Sequence, residues 1–179
     1  DRLEAVAVLK EAEIETWVQD LKDDLHNATV TEKVLPRWML EGDVDDDLRE
    51  RSMDVFRVHL NSVVLEGQSF DEFMLMDRNG EVVVCTDDEK EGLDYSDEPF
   101  FALGLEKPVV LSLLASPSAE EVTWMVARPV FDFGGYRPVG VIAGRVNPTN
   151  LYDMLRERTG LGETGETYLV GDNYALLTP

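Results

Sequence analysis

The chain of 179 residues suits one domain, or one domain with an appendage, and its 44% hydrophobic residues are enough for a real core. Its 37 acidic and 16 basic residues give a formal net charge of −21, which repels the phosphates of nucleic acids and the anionic surfaces of membranes. Nucleic acid is therefore not expected as a partner. Solubility or a high-salt habitat explains the charge more simply than a cation-binding surface does.

Cys85 is the only cysteine, so neither an intramolecular disulfide nor a thiolate zinc cluster can form. We expect it to lie in a strand and to pack as a small hydrophobe. The longest apolar runs, such as 109–115, are shorter than the roughly 18 to 20 residues that cross a bilayer. The chain begins in a helical pattern and stops abruptly, so we expect it to be cut from a longer protein.

Two helices are predicted in the first third of the chain. From Leu3 to about Val34 there is no proline or glycine, and apolar residues recur at three- and four-residue steps, which predicts a helix with one apolar stripe. At about 1.5 Å per residue it is a rod of roughly 45 Å, which we expect to project from the core or to pair with a second copy. Pro36 and Gly42 interrupt it, and Asp43 is the predicted N-cap of a second helix. The inward residues predicted for that helix are Leu48, Met53, Val55, Phe56, Leu60, Val63 and Val64.

After Gly67 the pattern changes to strands. Segments 70–76 and 81–86 flank Asp77-Arg78-Asn79-Gly80, whose Asn-Gly pair accepts the positive φ angles of a tight hairpin turn. The other predicted elements are strands at 109–116, 121–131 and 138–147 and a helix from 147 to about 158. Helices, a hairpin, a loop with a short helix and three antiparallel strands describe an α+β fold: a sheet of about five strands with helices on one face.

The titratable residues do not suggest catalysis. His26 and His59 are the only histidines, and both lie on predicted helices remote from a plausible nucleophile, so a serine or cysteine triad has no evident base. The acidic runs 43–47 and 87–89 lack the glycine and closing glutamate of a calcium loop. The glycines of 160–165 follow a helix, whereas a phosphate loop follows a strand. We expect no catalytic residue, no metal site and no cofactor.

The loop 87–108 is the place where a ligand site is expected. Ser96 or Asp97 is the predicted cap of a short helix that has Pro99 in its first turn. Such a helix laid across the sheet can enclose a cavity with aromatic walls and a few polar groups, but the same aromatic residues can simply fill a core. The side chains predicted to line the cavity are Tyr95, Asp97, Glu98, Phe100, Phe101, Trp124, Arg128 and Arg145.

Several of these segments occur in an order that resembles a known family. They are the long N-terminal helix, the hairpin turn 77–80, Gly92-Leu93-Asp94-Tyr95-Ser96-Asp97-Glu98-Pro99-Phe100-Phe101, Ala127-Arg128-Pro129-Val130-Phe131-Asp132 and Pro138-Val139-Gly140-Val141-Ile142-Ala143-Gly144. Together they resemble the Cache family, above all the membrane-distal half of a double Cache domain, and 160–177 resembles the first strands of the membrane-proximal half. We therefore divide the chain into two helices at 1–66, a PAS-like module at 67–159, and the start of a second module or a C-terminal hairpin at 160–179.

The resemblance implies an extracytoplasmic sensor domain with a PAS-like sheet, set between two transmembrane helices of a bacterial or archaeal receptor. Such receptors are histidine kinases, chemoreceptors or cyclic-dinucleotide enzymes, and their sensor domains often pair two protomers through the N-terminal helix. A small-molecule ligand would favour one packing of sheet and helices and shift the population toward it. The resemblance implies no enzymatic activity, a homodimer, and membrane contact only through flanking helices absent from this chain.

Two charges differ from the amino-acid-binding branch of the family. In that branch an arginine two positions before an aromatic pair binds the ligand carboxylate, and an acid after the last strand binds its ammonium. Here Glu98 stands at the place of the arginine, Phe100 and Phe101 replace the family's Trp and Tyr, and Arg145 lies near the place of the acid. A free α-amino acid held in that manner is not expected. Arg145 either binds an organic acid or pairs with Glu98 and closes the site.

Two functions of different classes remain open at this point. One is a sensor for a small molecule, an organic acid or an amine. The other is a pocketless dimerisation or protein-interaction module of the same fold. A cavity between 95–105 and the sheet, with an arginine or a glutamate turned inward, would favour the sensor, and a filled core at that place would favour the interaction module.

Overall fold

The computed structural model describes residues 2–29, 40, 45–114, 122–132, 134–158, 161, 165–171 and 176–177. Four helices are described: α1 (Arg2–Thr29), α2 (Asp46–Glu66), the short α3 (Pro99–Gly104) and α4 (Thr149–Arg156). The strands are β1 (Phe70–Asp77), β2 (Val82–Cys85), β3 (Val109–Leu114), β4 (Val122–Phe131) and β5 (Pro138–Val146). No helix in this part of the chain is both long and apolar enough to cross a membrane.

The five strands form one sheet in the order β2-β1-β5-β4-β3. Every neighbouring pair is antiparallel. The first strand pairs with its hairpin partner on one side and with the last strand on the other, so β1 and β5 lie inside the sheet. The predicted α+β class and the antiparallel sheet of about five strands are confirmed.

Alternate residues of each strand point to opposite sides of the sheet, and both faces are covered by helices. On the back face, Phe73, Val126 and Ile142 belong to a core that α1, α2 and α4 complete. On the front face, Met74 and Val141 belong to a second core that α3 covers. The long helices therefore lie on one face, as predicted, and the short helix lies on the other.

The amphipathic pattern of α1 corresponds to its packing. Trp17, Leu21 and Leu25 are buried against the back face. Lys10 is also buried, and its Nζ donates to the Met154 carbonyl oxygen at 2.7 Å in α4. The helix ends at Thr29, and the rest of the predicted rod, 30–34, lies outside the described residues.

The second helix begins at a different cap from the predicted one. The Asp45 carboxylate accepts hydrogen bonds from the backbone N–H groups of Asp47 and Leu48, whereas Asp43 lies outside the described residues. Phe56 and Leu60 are fully buried as predicted. Met53, Val63 and Val64 are partly buried against the same core. Leu48 and Val55 were expected to point inward, but both are exposed: Val55 is turned about 100° around the helix from Phe56, and Leu48 lies in the first turn of the helix.

The β1–β2 hairpin has the predicted turn. Asp77 Oδ1 accepts hydrogen bonds from the backbone N–H of Asn79 at 2.8 Å and of Glu81 at 3.0 Å, and Gly80 has a φ of 95°. The chain then folds back along the outer side of β2. Val82 N–H donates to the Leu93 carbonyl oxygen at 2.9 Å, and an antiparallel bridge joins Glu81 to Asp94.

Candidate functional site

The short helix α3 is fixed over the front face of the sheet by its aromatic pair. Phe100 and Phe101 are both buried in the front-face core. Gly104 lets the helix approach closely, since a Cβ at this position would lie 2.9 Å from Ala127 Cβ. The predicted placement of this segment across the sheet is therefore what the structure shows, and its aromatic end is a filled core.

The helix begins with Pro99 in its first turn, as predicted, but the predicted caps are wrong. The residue at the N-cap position is Glu98, and its side chain makes no capping hydrogen bond. Ser96 instead belongs to the preceding turn, where its backbone N–H donates to Asp94 Oδ1 at 2.8 Å. The loop before α3 is thus ordered by Asp94.

A group of charged side chains lies beside this aromatic core, on the same face of the sheet. Lys90 Nζ is 2.6 Å from Glu72 Oε2, and Arg145 Nη2 is 3.5 Å from the same oxygen. Cys85 Sγ lies 3.9 Å from Glu72 Oε1. We call Glu72, Cys85, Lys90 and Arg145 the Glu72 cluster. It joins β1, β2, β5 and a short 3₁₀ helix at Asp88–Lys90, so it connects four separate segments of the chain.

Burial within the cluster is uneven. The Glu72 side chain is only 4% exposed, whereas that of Lys90 is 29% exposed and that of Arg145 46% exposed. A buried carboxylate is stable only when it is paired. The two cations therefore provide the ion-pair partners of the buried Glu72 side chain, while their own side chains face outward.

The proton equilibria of the neighbouring groups follow from these contacts. Burial is the largest single influence on Lys90 and disfavours its charge, but the hydrogen bond to Glu72 and the charge of Glu72 together outweigh it, so the pKa of Lys90 is raised. Burial raises the pKa of the Cys85 thiol to about 11. Burial also raises the pKa of Tyr95, a group that senses the charges of Lys90, Glu72 and Glu98. At neutral pH the cluster thus holds a lysine cation and a neutral thiol, and the phenol of Tyr95 beside it is neutral.

Six of the predicted lining residues lie on or beside the front face. Tyr95 contacts Phe100, with ring centroids 5.9 Å apart. Glu98 is partly buried beside Tyr95, whereas Asp97 is exposed. Arg145 does form an ion pair, but among the described residues its partner is Glu72 and not Glu98.

Trp124 and Arg128 were expected to face the same space, but they lie on the back face. Trp124 packs edge-on against Trp17 of α1, with ring centroids 5.9 Å apart. Arg128 contacts His26, also in α1. The predicted alternation along β4 was right, but the wrong face was assigned to the ligand side. Neither residue can line a cavity together with Phe100.

Three members of the cluster, Glu72, Cys85 and Lys90, were not among the predicted site residues. Glu72 had a signal: it shares the period-two register of Met74 and Met76, so it is a carboxylate on a strand face that is otherwise buried. Cys85 was expected only to pack in a strand. Lys90 had no signal, because its approach to Glu72 depends on the path of an irregular loop.

A cavity of about 480 Å³ is lined by described residues elsewhere in the chain. It lies between α4 and the segment 165–168, and Leu155, which lines it, belongs to the back-face core. It is thus on the opposite side of the sheet from α3. Across the described parts of the chain, no group of three or more His, Cys, Asp or Glu side chains is arranged to hold a metal ion.

A long helix and an antiparallel five-stranded sheet, with a short helix across the other face, define the α+β fold of Cache and PAS-like sensor domains. Solved structures of the sensor and ligand-binding domains of histidine kinases and chemoreceptors share it. The ligand-binding domain of the Pseudomonas aeruginosa PAO1 amino acid chemoreceptor PctC, in complex with GABA, superposes with a TM-score of 0.65 at 19% identity, over 99% of this chain and 73% of that one.

Two further structures extend the likeness. The ligand-binding domain of the Pseudomonas fluorescens chemoreceptor CtaA, in complex with L-serine, gives a TM-score of 0.65 at 16% identity over 99% of this chain and 70% of that one. The sensor domain of the V. cholerae histidine kinase DctB gives 0.57 at 15% identity over 85% of this chain. The chain spans 61% of the DctB domain and 26% of an extracellular ligand-binding receptor from Desulfohalobium retbaense.

No protein-family model matches the chain, and no curated protein matches it. The likeness to the sensor domains is therefore a likeness of fold.

Proposed function

We propose that this chain is the extracytoplasmic, Cache-type ligand-sensing domain of a transmembrane signalling receptor, and that it binds a small molecule between segment 95–105 and the sheet. The receptor is a histidine kinase, a chemoreceptor or a cyclic-dinucleotide enzyme. The chain acts by binding and not by catalysis.

The observation that carries this proposal is the Glu72 cluster. Burying the Glu72 carboxylate beside an aromatic core, with two partly exposed cations as its partners, costs desolvation energy that an apolar residue would avoid. Polar groups placed at the edge of an apolar, aromatic surface are typical of small-molecule sites. The ligand is proposed to contact Tyr95 and Arg145, with an organic acid or an amine as its chemical class.

The domain division is also part of the proposal: the two helices of 1–66, the module of 67–159, and a further unit from residue 160. Val170 and Leu176 form an antiparallel bridge, and Leu177 is buried in the back-face core, which supports a C-terminal hairpin that packs on this module. Homodimerisation through α1 is supported by Leu3, Val8 and Leu9, which are exposed in its first turns.

A thermal-shift screen against carboxylates, amines and amino acids tests the sensing role. A ligand at a hundred times its dissociation constant stabilises the folded state by about 2.7 kcal/mol, which is readily measured. Arg145→Gln should remove the shift for any carboxylate, whereas Arg137→Gln, which alters an exposed arginine near Asp132, should leave it. The sensing role is rejected if no small molecule stabilises the wild-type protein.

One observation favours the alternative of a pocketless dimerisation module. Phe100 and Phe101 are 2% and 4% exposed, so the aromatic end of the expected cavity is filled. Sedimentation of the wild-type protein and of a Val8→Asp variant would test that alternative, since dimerisation through α1 without any ligand response is what it requires.

A further inference from the structure

We propose that Glu72 is an internal occupant of the site's anion-binding position, and that a carboxylate ligand binds Arg145 in competition with it. This inference rests on the sensing function proposed above and adds to it the class of ligand and a built-in competitor. The competing contact is the 3.5 Å pair between Arg145 Nη2 and Glu72 Oε2.

The geometry divides the two cations into different roles. Lys90 Nζ is 2.6 Å from Glu72 Oε2, a short charge-assisted hydrogen bond. Arg145 Nη2 is 3.5 Å from the same oxygen, beyond a good hydrogen bond. Glu72 can therefore keep Lys90 and give up Arg145 without being left as an unpaired charge in the sheet.

Accessibility points in the same direction. The Arg145 side chain is nearly half exposed, whereas Glu72 lies beneath it. Arginine presents a planar fork that binds a carboxylate through two parallel hydrogen bonds. A ligand carboxylate can thus approach the guanidinium from outside while Glu72 stays below.

The charges around Arg145 explain why such competition matters. Asp87 lies 3.7 Å from Lys90, and Glu98 is close enough to Tyr95 to contribute to its raised pKa. With Glu72, these acids make an anion's approach unfavourable in a chain of net charge −21. A ligand that must displace an internal competitor has its apparent affinity reduced by the fraction of molecules in which the site is free.

The test is acetate binding to three proteins: wild type, Glu72→Gln and the control Glu106→Gln. Glu106 is exposed, so its variant removes the same formal charge away from the cluster. Binding is followed from the amide and arginine Nε signals of ¹⁵N-labelled protein, with sodium chloride at equal ionic strength as the reference. Glu72→Gln should bind acetate more tightly than wild type by about fivefold or more, because it removes a direct competitor, and Glu106→Gln should match wild type.

Two further variants keep the test decisive. Adding Arg145→Gln to Glu72→Gln should abolish the gain, because the carboxylate loses its guanidinium. If Glu72→Gln does not fold, Glu72→Asp is the substitute. It keeps a carboxylate as the partner of Lys90, but its shorter side chain draws that carboxylate away from Arg145. This variant should also bind acetate more tightly than wild type.

The inference is overturned if acetate binds equally well to wild type and to the folded Glu72 variant, if it binds neither, or if the gain survives removal of Arg145. The sensing role is judged by different results. If a ligand found in the screen binds with the same affinity to the wild-type protein, Glu72→Gln and Arg145→Gln, the sensing function is retained. The proposed competition by Glu72 is then rejected.

Discussion

Lys90 and Glu91 are consecutive in the chain, yet they bind to opposite layers of the molecule. Lys90 reaches Glu72 on the front face at 2.6 Å. Glu91 receives two hydrogen bonds at 2.9 Å from the Arg57 guanidinium of α2, which packs on the back face. Glu91 Oε1 also accepts the backbone N–H of Cys85 at 3.0 Å. One short turn therefore connects the Glu72 cluster with a helix on the other side of the sheet.

The Arg57–Glu91 pair should contribute measurably to stability. Its side chains are 24% and 23% exposed and meet in bidentate geometry, so a double-mutant cycle with Arg57→Gln and Glu91→Gln should give a coupling energy of about 0.5–1 kcal/mol. The matched control is Asp54, which also pairs with Arg57 but is 62% exposed. A second cycle with Arg57→Gln and Asp54→Asn, measured by urea unfolding, should give a smaller coupling energy. Equal coupling energies for the two pairs would contradict the conclusion that the Arg57–Glu91 pair is the stronger one.

Gly80 should tolerate alanine less well than Gly92. Both have positive φ, 95° and 80°, so both substitutions introduce backbone strain of about 1 kcal/mol. At Gly80 a Cβ would also lie 2.6 Å from the backbone nitrogen of Ser96, whereas at Gly92 it would meet nothing within 4 Å. The free energy of unfolding of Gly80→Ala should therefore fall further, by about 1–3 kcal/mol more. A similar loss at both positions would show that the hairpin and the Ser96 loop are not in contact.

The burial of α3 can be tested with two apolar side chains of the same helix. Phe100 is buried against the front face, and Leu103 is 38% exposed. Phe100→Ala should lower the free energy of unfolding by about 3–5 kcal/mol, whereas Leu103→Ala should cost about 1 kcal/mol or less. Chemical denaturation decides between them. A small loss for Phe100→Ala would mean that α3 is not packed on the sheet.

His26 should make the protein less stable in mild acid. Burial, and after it the neighbouring Arg128 cation, lowers the pKa of His26 below its usual 6.5, although Asp23 opposes this shift. The unfolded chain then binds a proton more readily than the folded chain, so the contribution of His26 is zero well above pH 6.5 and becomes destabilising as the pH falls through and below that value.

The measurement is the difference in unfolding free energy between the wild-type protein and His26→Asn from pH 8 to pH 5. The variant should gain on wild type as the pH falls, because it has no imidazole to protonate beside Arg128. In the Arg128→Gln background the pH dependence should shrink. A difference that does not change with pH would contradict the contact between α1 and β4.

The sequence predicted the elements that have a regular period or a distinctive turn. Three features depend only on residues close together in the chain, so they could be predicted without knowledge of the tertiary structure. They are the apolar stripe of α1, the Asn79-Gly80 hairpin turn and the alternation along β4. Pro99 marked the start of α3 for the same reason. The resemblance to the Cache family rested on the order of these segments along the chain, and the solved structures support it as a likeness of fold.

The candidate site was predicted only in part, because it depends on contacts between distant segments. Alternation placed Trp124 and Arg128 together, but it could not say which face the long helices would cover. Arg145 was expected either to bind an organic acid or to pair with Glu98. Its partner is Glu72, which lies far from it in the sequence, in the first strand of the sheet. The two residues are neighbours because they lie opposite each other in the pairing of β1 with β5. Lys90 joins them only through the path of its loop.

The segment that follows β2 packs along the outer border of the sheet. Strands at the border of a sheet attract other strands, since their outward N–H and C=O groups seek partners. Here Leu93 and Gly92 take up both backbone groups of Val82, at 2.9 and 2.8 Å, and Tyr95 N–H binds the Gly80 carbonyl oxygen at 2.9 Å. The same loop that carries Lys90 toward Glu72 thereby occupies the first part of this border, where a strand of another molecule could otherwise add.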